Sequence, residues 1–200
     1  PRWGGRVNGH DVLTSAYTYS EFYQIISWSK QKFVEYGLPV PKSYRAGGWF
    51  LDLDNIRALE DQGFLIESSG REFYIWGPNQ QQGLWTLTST TVPYQPSKVN
   101  QNANEPEPTF NIWEFPNNGV DSTNRSAADM IARFDDNYKG VPLLEPQTVT
   151  YLSHPHWFDI FDSPKLREVF THTGKYKFSE DNGPVIYTTL EGAYPTWTEK

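Results

Sequence analysis

PVPKSYRAGGWFLDLDNIRALEDQGFLIESS, Pro39 to Ser69, decides how the chain reads. Pro39 and Pro41 hold the approach extended, because a residue before proline is pushed out of the helical region. Ser43-Tyr44-Arg45 reads as a short strand. Gly47 and Gly48 let the backbone turn where a side chain would clash. Asp52 or Asp54 caps a short helix with Ile56 and Leu59 on its apolar side, and Gly63 ends it. Phe64-Leu65-Ile66 is the next strand. Strand, turn, helix and strand make the unit from which parallel sheets are built. Arg45 and Trp49 fall at the carboxyl end of its first strand, where α/β folds carry their chemistry.

Upstream, residues 1–19 read as irregular. Ser20 reads as an N-cap, with Phe22, Ile25, Ile26, Phe33 and Tyr36 on one face of a helix over 21–36 that Gly37 closes. Downstream, 73–76 and 84–94 read as strands around a polar loop at 77–83. Residues 95–108, QPSKVNQNANEPEP, are nearly free of apolar side chains, and read as a mobile excursion or a lid. Strands are expected at 109–116, 148–152 and 184–190. Helices are expected at 122–139 and from Ser163-Pro164 to about Thr173, the latter with serine as cap and proline in the first turn. The alternation argues for an α/β fold with a largely parallel sheet or barrel.

The chain has 200 residues, which suggests one domain, 1–200, large enough for a real core. Its net charge is −7 and no Lys/Arg cluster occurs, which argues against a nucleic-acid partner. No apolar run approaches a membrane span. With no cysteine, thiolate metal sites are excluded and the compartment stays undecided. Aromatic residues make up 16% of the chain, enough to line a sugar cleft as well as fill a core.

Tyr44-Arg45-Ala46-Gly47-Gly48-Trp49, followed by a helix, Gly63-Phe64 and Glu67-Ser68-Ser69, resembles the central motif of NodB-type polysaccharide deacetylases. Leu152-Ser153-His154-Pro155 resembles that family's last motif, and Ile112-Trp113-Glu114-Phe115-Pro116 stands where the family has an intervening strand. The resemblance covers residues 20–160. It implies a distorted or incomplete (β/α) barrel and a metal-dependent hydrolase, zinc most often, that removes N-acetyl groups from a polysaccharide or cell-surface glycan. It makes Arg45 the residue that orients the general base, and His154 the general acid toward the leaving amine. Leu152 would line the acetyl pocket, and Trp49 and Trp157 would line the sugar site. It also places Arg45 and His154 in one hollow.

The family's early aspartate and histidine pairs are absent from this chain. Pro1 is not a natural start. Pro1-Arg2-Trp3 resembles the residues after the second metal histidine, so the metal ligands are expected upstream. An upstream segment or a second chain would then complete the barrel, and these 200 residues alone would not assemble the metal site. Asp135-Asp136 ends an amphipathic helix and reads as solvated surface. His154 and His156 have chelating spacing, but Pro155 and the family register favour one catalytic histidine. His10-Asp11 reads as a loop, and His172 as a helix-end charge. Plainer alternatives stay open. Arg45 can bridge to Glu67 or Glu114, His154 can be a satisfied core histidine, and both tryptophans can be packing. The rival function is a non-catalytic carbohydrate-binding module.

Overall fold

A computed structural model describes residues 13–76 and 80–199, apart from the side chains of Trp157 and Glu180. His10-Asp11 and Pro1-Arg2-Trp3 lie outside the described residues, as does part of the 77–83 loop. The chain packs as two compact units. The first takes the described residues up to Thr86 together with Tyr94–Phe115. The second takes Leu87–Pro93 and the described residues from Pro116 onward.

In the first unit, α1 spans Tyr19–Glu35. Its cap is Thr18 rather than Ser20. Thr18 and Glu21 form a reciprocal capping box, with the Glu21 carboxylate accepting the Thr18 N–H at 3.1 Å. A threonine three positions before a glutamate satisfies two orphan amides, where Ser20 would satisfy one. β1 is Ser43–Tyr44 and α2 is Leu53–Asp61, capped by Asp52 with Asn55 in a second box. β2 is Ile66–Glu67, β3 Ile75–Trp76, β4 Gln81–Gln82 and β5 Trp113–Glu114.

β1, β2 and β5 form a parallel sheet in that order, with Tyr44 opposite Glu67 and Glu67 opposite Glu114. β3 and β4 pair as an antiparallel hairpin. The pairings among the described residues do not close a barrel. Phe22 and Ile26 of α1 and Ile56 and Leu59 of α2 are buried on this unit's core with Ile66, Phe110 and Ile112.

Only one of the two glycines before Trp49 is under a steric demand. Gly48 sits at φ +61°, and a Cβ there would meet the Phe50 ring at 3.1 Å; at Gly47 it would meet nothing within 4 Å. Trp49 itself is left-handed, at φ +61°. That conformation is strained for a bulky residue. It is held by the Trp49 N–H on Ala46 O at 3.0 Å and by the Trp85 indole N–H on Trp49 O at 3.0 Å.

Residues 95–108 are neither a loose excursion nor an open lid. Ser97 and Gln101 are buried. Ser97 N–H bonds Ala103 O at 2.8 Å, Lys98 N–H bonds Pro108 O at 2.9 Å, and the Gln101 amide donates to Leu51 O at 2.9 Å. Polar side chains, not apolar ones, pack this loop, as in compact Ω-loops. The expected strand over 84–94 reduces to one bridge, Tyr94 to Glu114, because Trp85 and Leu87 turn into cores and Thr88–Thr91 closes a turn.

In the second unit, α3 is Ala127–Asn137, shorter than expected. Ser126 and Asp129 form its capping box, and the residues before it make a turn. Residues 119–122 run parallel to 150–152: Leu152 N–H bonds Val120 O, and Ser122 N–H bonds Leu152 O, both at 3.0 Å. α4 spans Ser163–Gly174, preceded by a 3-10 turn at Pro155–Trp157 and a π-helical turn at Phe158–Asp162. Val120, Met130, Leu166 and Val169 form this unit's buried cluster. The expected strand at 184–190 is irregular, and the chain ends in α5, Leu190–Thr198, capped by Thr189. Gly192 and Pro195 hide that helix from the sequence, since both oppose helical propensity.

Candidate functional site

In the first unit, parallel register sets two glutamates side by side. Glu67 and Glu114 are paired on β2 and β5, and each is 0% exposed. Ser69 Oγ donates to Glu67 Oε1 and accepts the Ala46 N–H at 2.9 Å. Gly70 N–H donates to Glu114 Oε1 at 2.9 Å. Both Oε2 atoms are buried and lack a partner if both groups are ionised. A buried oxygen without a donor and a like charge beside it both disfavour ionisation. Burial pushes the Glu114 carboxyl well above its ordinary range. The Glu67 charge and hydrogen bond push it further, against the Gly70 N–H and the Arg45 charge.

Arg45 supports this pair from the end of β1. Its Nε donates to Ser68 O and its Nη2 to Ser68 Oγ, both at 2.6 Å, and Ser68 Oγ donates to Phe115 O at 2.6 Å. The guanidinium therefore clamps the turn after β2 to the end of β5. Trp49 is 7% exposed, and the Arg71 guanidinium lies over its ring at 4.2 Å. That face is occupied rather than open to a sugar.

The raised Glu114 carboxyl makes stability depend on pH. A carboxyl raised on folding keeps a proton that the unfolded chain releases near pH ~4.3. Its contribution is complete below that pH and is lost as pH rises toward the folded-state value. Glu114→Gln is neutral throughout and removes the loss. Urea titrations at about pH 5 and about pH 8 measure this: wild type should lose more stability between them than the variant, and equal losses contradict a Glu114 carboxyl raised on folding.

In the second unit, Leu152 and His154 follow the parallel segment. Leu152 is half-buried, with its backbone engaged by 120 and 122. The His154 side chain is 42% exposed, and its Nε2 lies 3.3 Å from Oδ2 of Asp121, whose side chain is 3% exposed. With Nε2–H toward the carboxylate, Nδ1 is the nitrogen on which a proton exchanges. Asp121 is itself oriented by the Thr123 N–H at 2.8 Å and the Asn124 amide at 2.6 Å.

A second buried aspartate lies behind the pair. Asp162 Oδ2 accepts the His154 N–H at 2.8 Å and Ser153 Oγ at 3.1 Å, and its Oδ1 accepts Thr123 Oγ1 at 3.1 Å. Burial pushes the Asp162 carboxyl up, but the His154 N–H and the hydroxyls of Ser122, Ser153 and Thr123 outweigh it and hold it below the ordinary range.

Of the residues singled out by sequence, Arg45 and Trp49 belong to the first unit, and Leu152, His154 and Trp157 to the second. The Trp157 side chain lies outside the description. His172 is more than a helix-end charge: its Nε2 stands 2.7 Å from Asp135 Oδ1, joining α4 to α3. Asp121 and Asp162 escaped the sequence reading. The run Asp121-Ser-Thr-Asn signals a local aspartate turn. Only the parallel pairing of 119–122 with 150–152 brings it to His154. Among the described residues no group of three or more His, Asp or Glu side chains could hold a metal ion, and no helix is long and apolar enough to cross a membrane. No family model, curated protein or solved structure matches the chain.

Proposed function

We propose that this chain carries the leaving-group side of an amide-hydrolysing site for N-acetylated glycans, on an incomplete (β/α) barrel of the polysaccharide deacetylase type. The observation that supports it is the half-exposed His154 imidazole held against the buried Asp121 carboxylate at a strand end. Such a pair fixes the tautomer and steadies the imidazolium, as a general acid requires. In the reaction, water oxygen bonds the acetyl carbonyl carbon and the carbon–nitrogen bond breaks. The His154 imidazolium gives its Nδ1 proton to the departing nitrogen, and a proton released by the attacking water returns to Nδ1, giving acetic acid, which ionises to acetate, and a free amine. The resemblance also implies a divalent metal, most often zinc. The described residues do not supply its ligand set, so no step of this chain's own residues runs through it.

A glycan-binding module is the second reading. The exposed Phe73 and Trp76 rings by the β3–β4 hairpin favour it, since aromatic faces pack on pyranose rings. Incubating the full-length protein with an N-acetylated chito-oligosaccharide separates the two. Acetate and free amine in equal amounts support hydrolysis. Saturable binding with no acetate supports the module and sinks the hydrolase.

A further inference from the structure

We propose that Asp162 is the positioning residue of the His154–Asp121 pair, an inference that rests on the hydrolytic reading of that pair. Asp162 ends the π-helical turn that leads directly into α4, and its own backbone is already helical at φ −87° and ψ −45°. Here its side chain makes no capping bond to α4. Both oxygens turn instead to the neighbouring segments, as the bonds to His154 N–H, Ser153 Oγ and Thr123 Oγ1 record. The π-helical winding of Phe158–Asp162 just before α4 accompanies this placement, and such wide turns recur at functional sites.

The bonds reach both members of the pair. One oxygen fixes the backbone of His154 directly. The other holds the Thr123 hydroxyl, while the Thr123 N–H holds Asp121 Oδ1 at 2.8 Å. Asp162 thus ties together the segments bearing the imidazole and its carboxylate, beside the Ser122 Oγ bond to Leu152 O at 3.0 Å. Lys165 Nζ, donating to Ser122 O at 2.5 Å, secures the same turn from α4. A buried carboxylate with several donors is costly to disturb and keeps a fixed geometry. Its role is to hold Nε2 at Asp121, so that Nδ1 alone exchanges protons.

The test reads the His154 tautomer by ring 15N chemical shifts, which needs no turnover. In wild type a single Nε2–H tautomer is expected. Asp162→Ala should give a mixture, as should Asp121→Asn, and the double variant should add nothing to Asp121→Asn. Thr123→Val cuts one arm only and should give an intermediate mixture; it serves if Asp162→Ala does not fold. Helix content by circular dichroism should hold, because Asp162 does not cap α4. In the full-length protein, acetate release should fall about 10²-fold, mostly in kcat, the scale of a small misplacement of reacting groups. An unchanged tautomer in folded Asp162→Ala, or in folded Thr123→Val where Asp162→Ala does not fold, overturns the proposal. A collapsed tautomer in a protein that never releases acetate keeps the positioning role and removes the hydrolase reading instead.

Discussion

His154→Ala should cut acetate release from an N-acetylated oligosaccharide by about 10²–10⁴-fold, the usual scale of a positioned general acid. An amine leaves an amide only when its nitrogen is protonated, and His154 is the imidazole with a buried carboxylate behind it and an exposed face in front. Folding should barely register the change. The ring is 42% exposed, and its contact with Asp121, at 3.3 Å, joins an exposed partner to a buried one. Half-exposed pairs of this kind contribute about 1 kcal/mol or less. Rate and urea midpoint are measured on the same sample. Turnover within twofold of wild type would remove His154 from the chemistry, and a large shift in midpoint would return it to the core-histidine alternative.

Arg45→Met has the opposite profile and should cost stability first. Arg45 makes two bonds of 2.6 Å to Ser68, and its charge offsets the rise of the Glu114 carboxyl. Hydrogen bonds to charged groups contribute about 1.5–3 kcal/mol each, and losing the fork also leaves Ser68 O short of a donor; a net loss of about 2–4 kcal/mol is expected. Arg45→Lys should recover only part of it, because an ammonium lacks the planar fork. The check is a fall in urea midpoint with unchanged slope. A loss below about 0.5 kcal/mol, the range of ordinary surface changes, would mean that the clamp across β2 and β5 does not bear on folding.

The two outcomes bear on what the sequence makes legible. From Ser43 to Glu67 the expectation and the structure coincide closely: local signals dominate there, with Asp52 as cap, Ile56 and Leu59 on the buried face, and Gly63 past the helix end at φ +75°. The bridge from Arg45 to Glu67 or Glu114 that the sequence leaves open takes another form: the guanidinium bonds Ser68, on the turn after Glu67. Those glutamates meet only because β2 and β5 pair in register across 47 intervening steps of chain. Asp121 and Asp162 were illegible for the same reason. Each looks like a turn or cap aspartate, and only pairing at long range turns their oxygens toward His154. The 95–108 loop misled because its packing is polar, and α5 because Gly192 and Pro195 oppose it locally while Trp197 is anchored to Thr148 Oγ1 at 3.1 Å.

The most direct test of the His154 assignment is a ring 13C–1H spectrum of the chain titrated with an N-acetylated chito-oligosaccharide. The sequence holds four histidines, so a His154→Asn variant assigns the signal. Expected is a saturable displacement of the His154 resonance that Asp121→Asn weakens. Saturation that moves the Phe73 and Trp76 ring signals while His154 stays in place would contradict it.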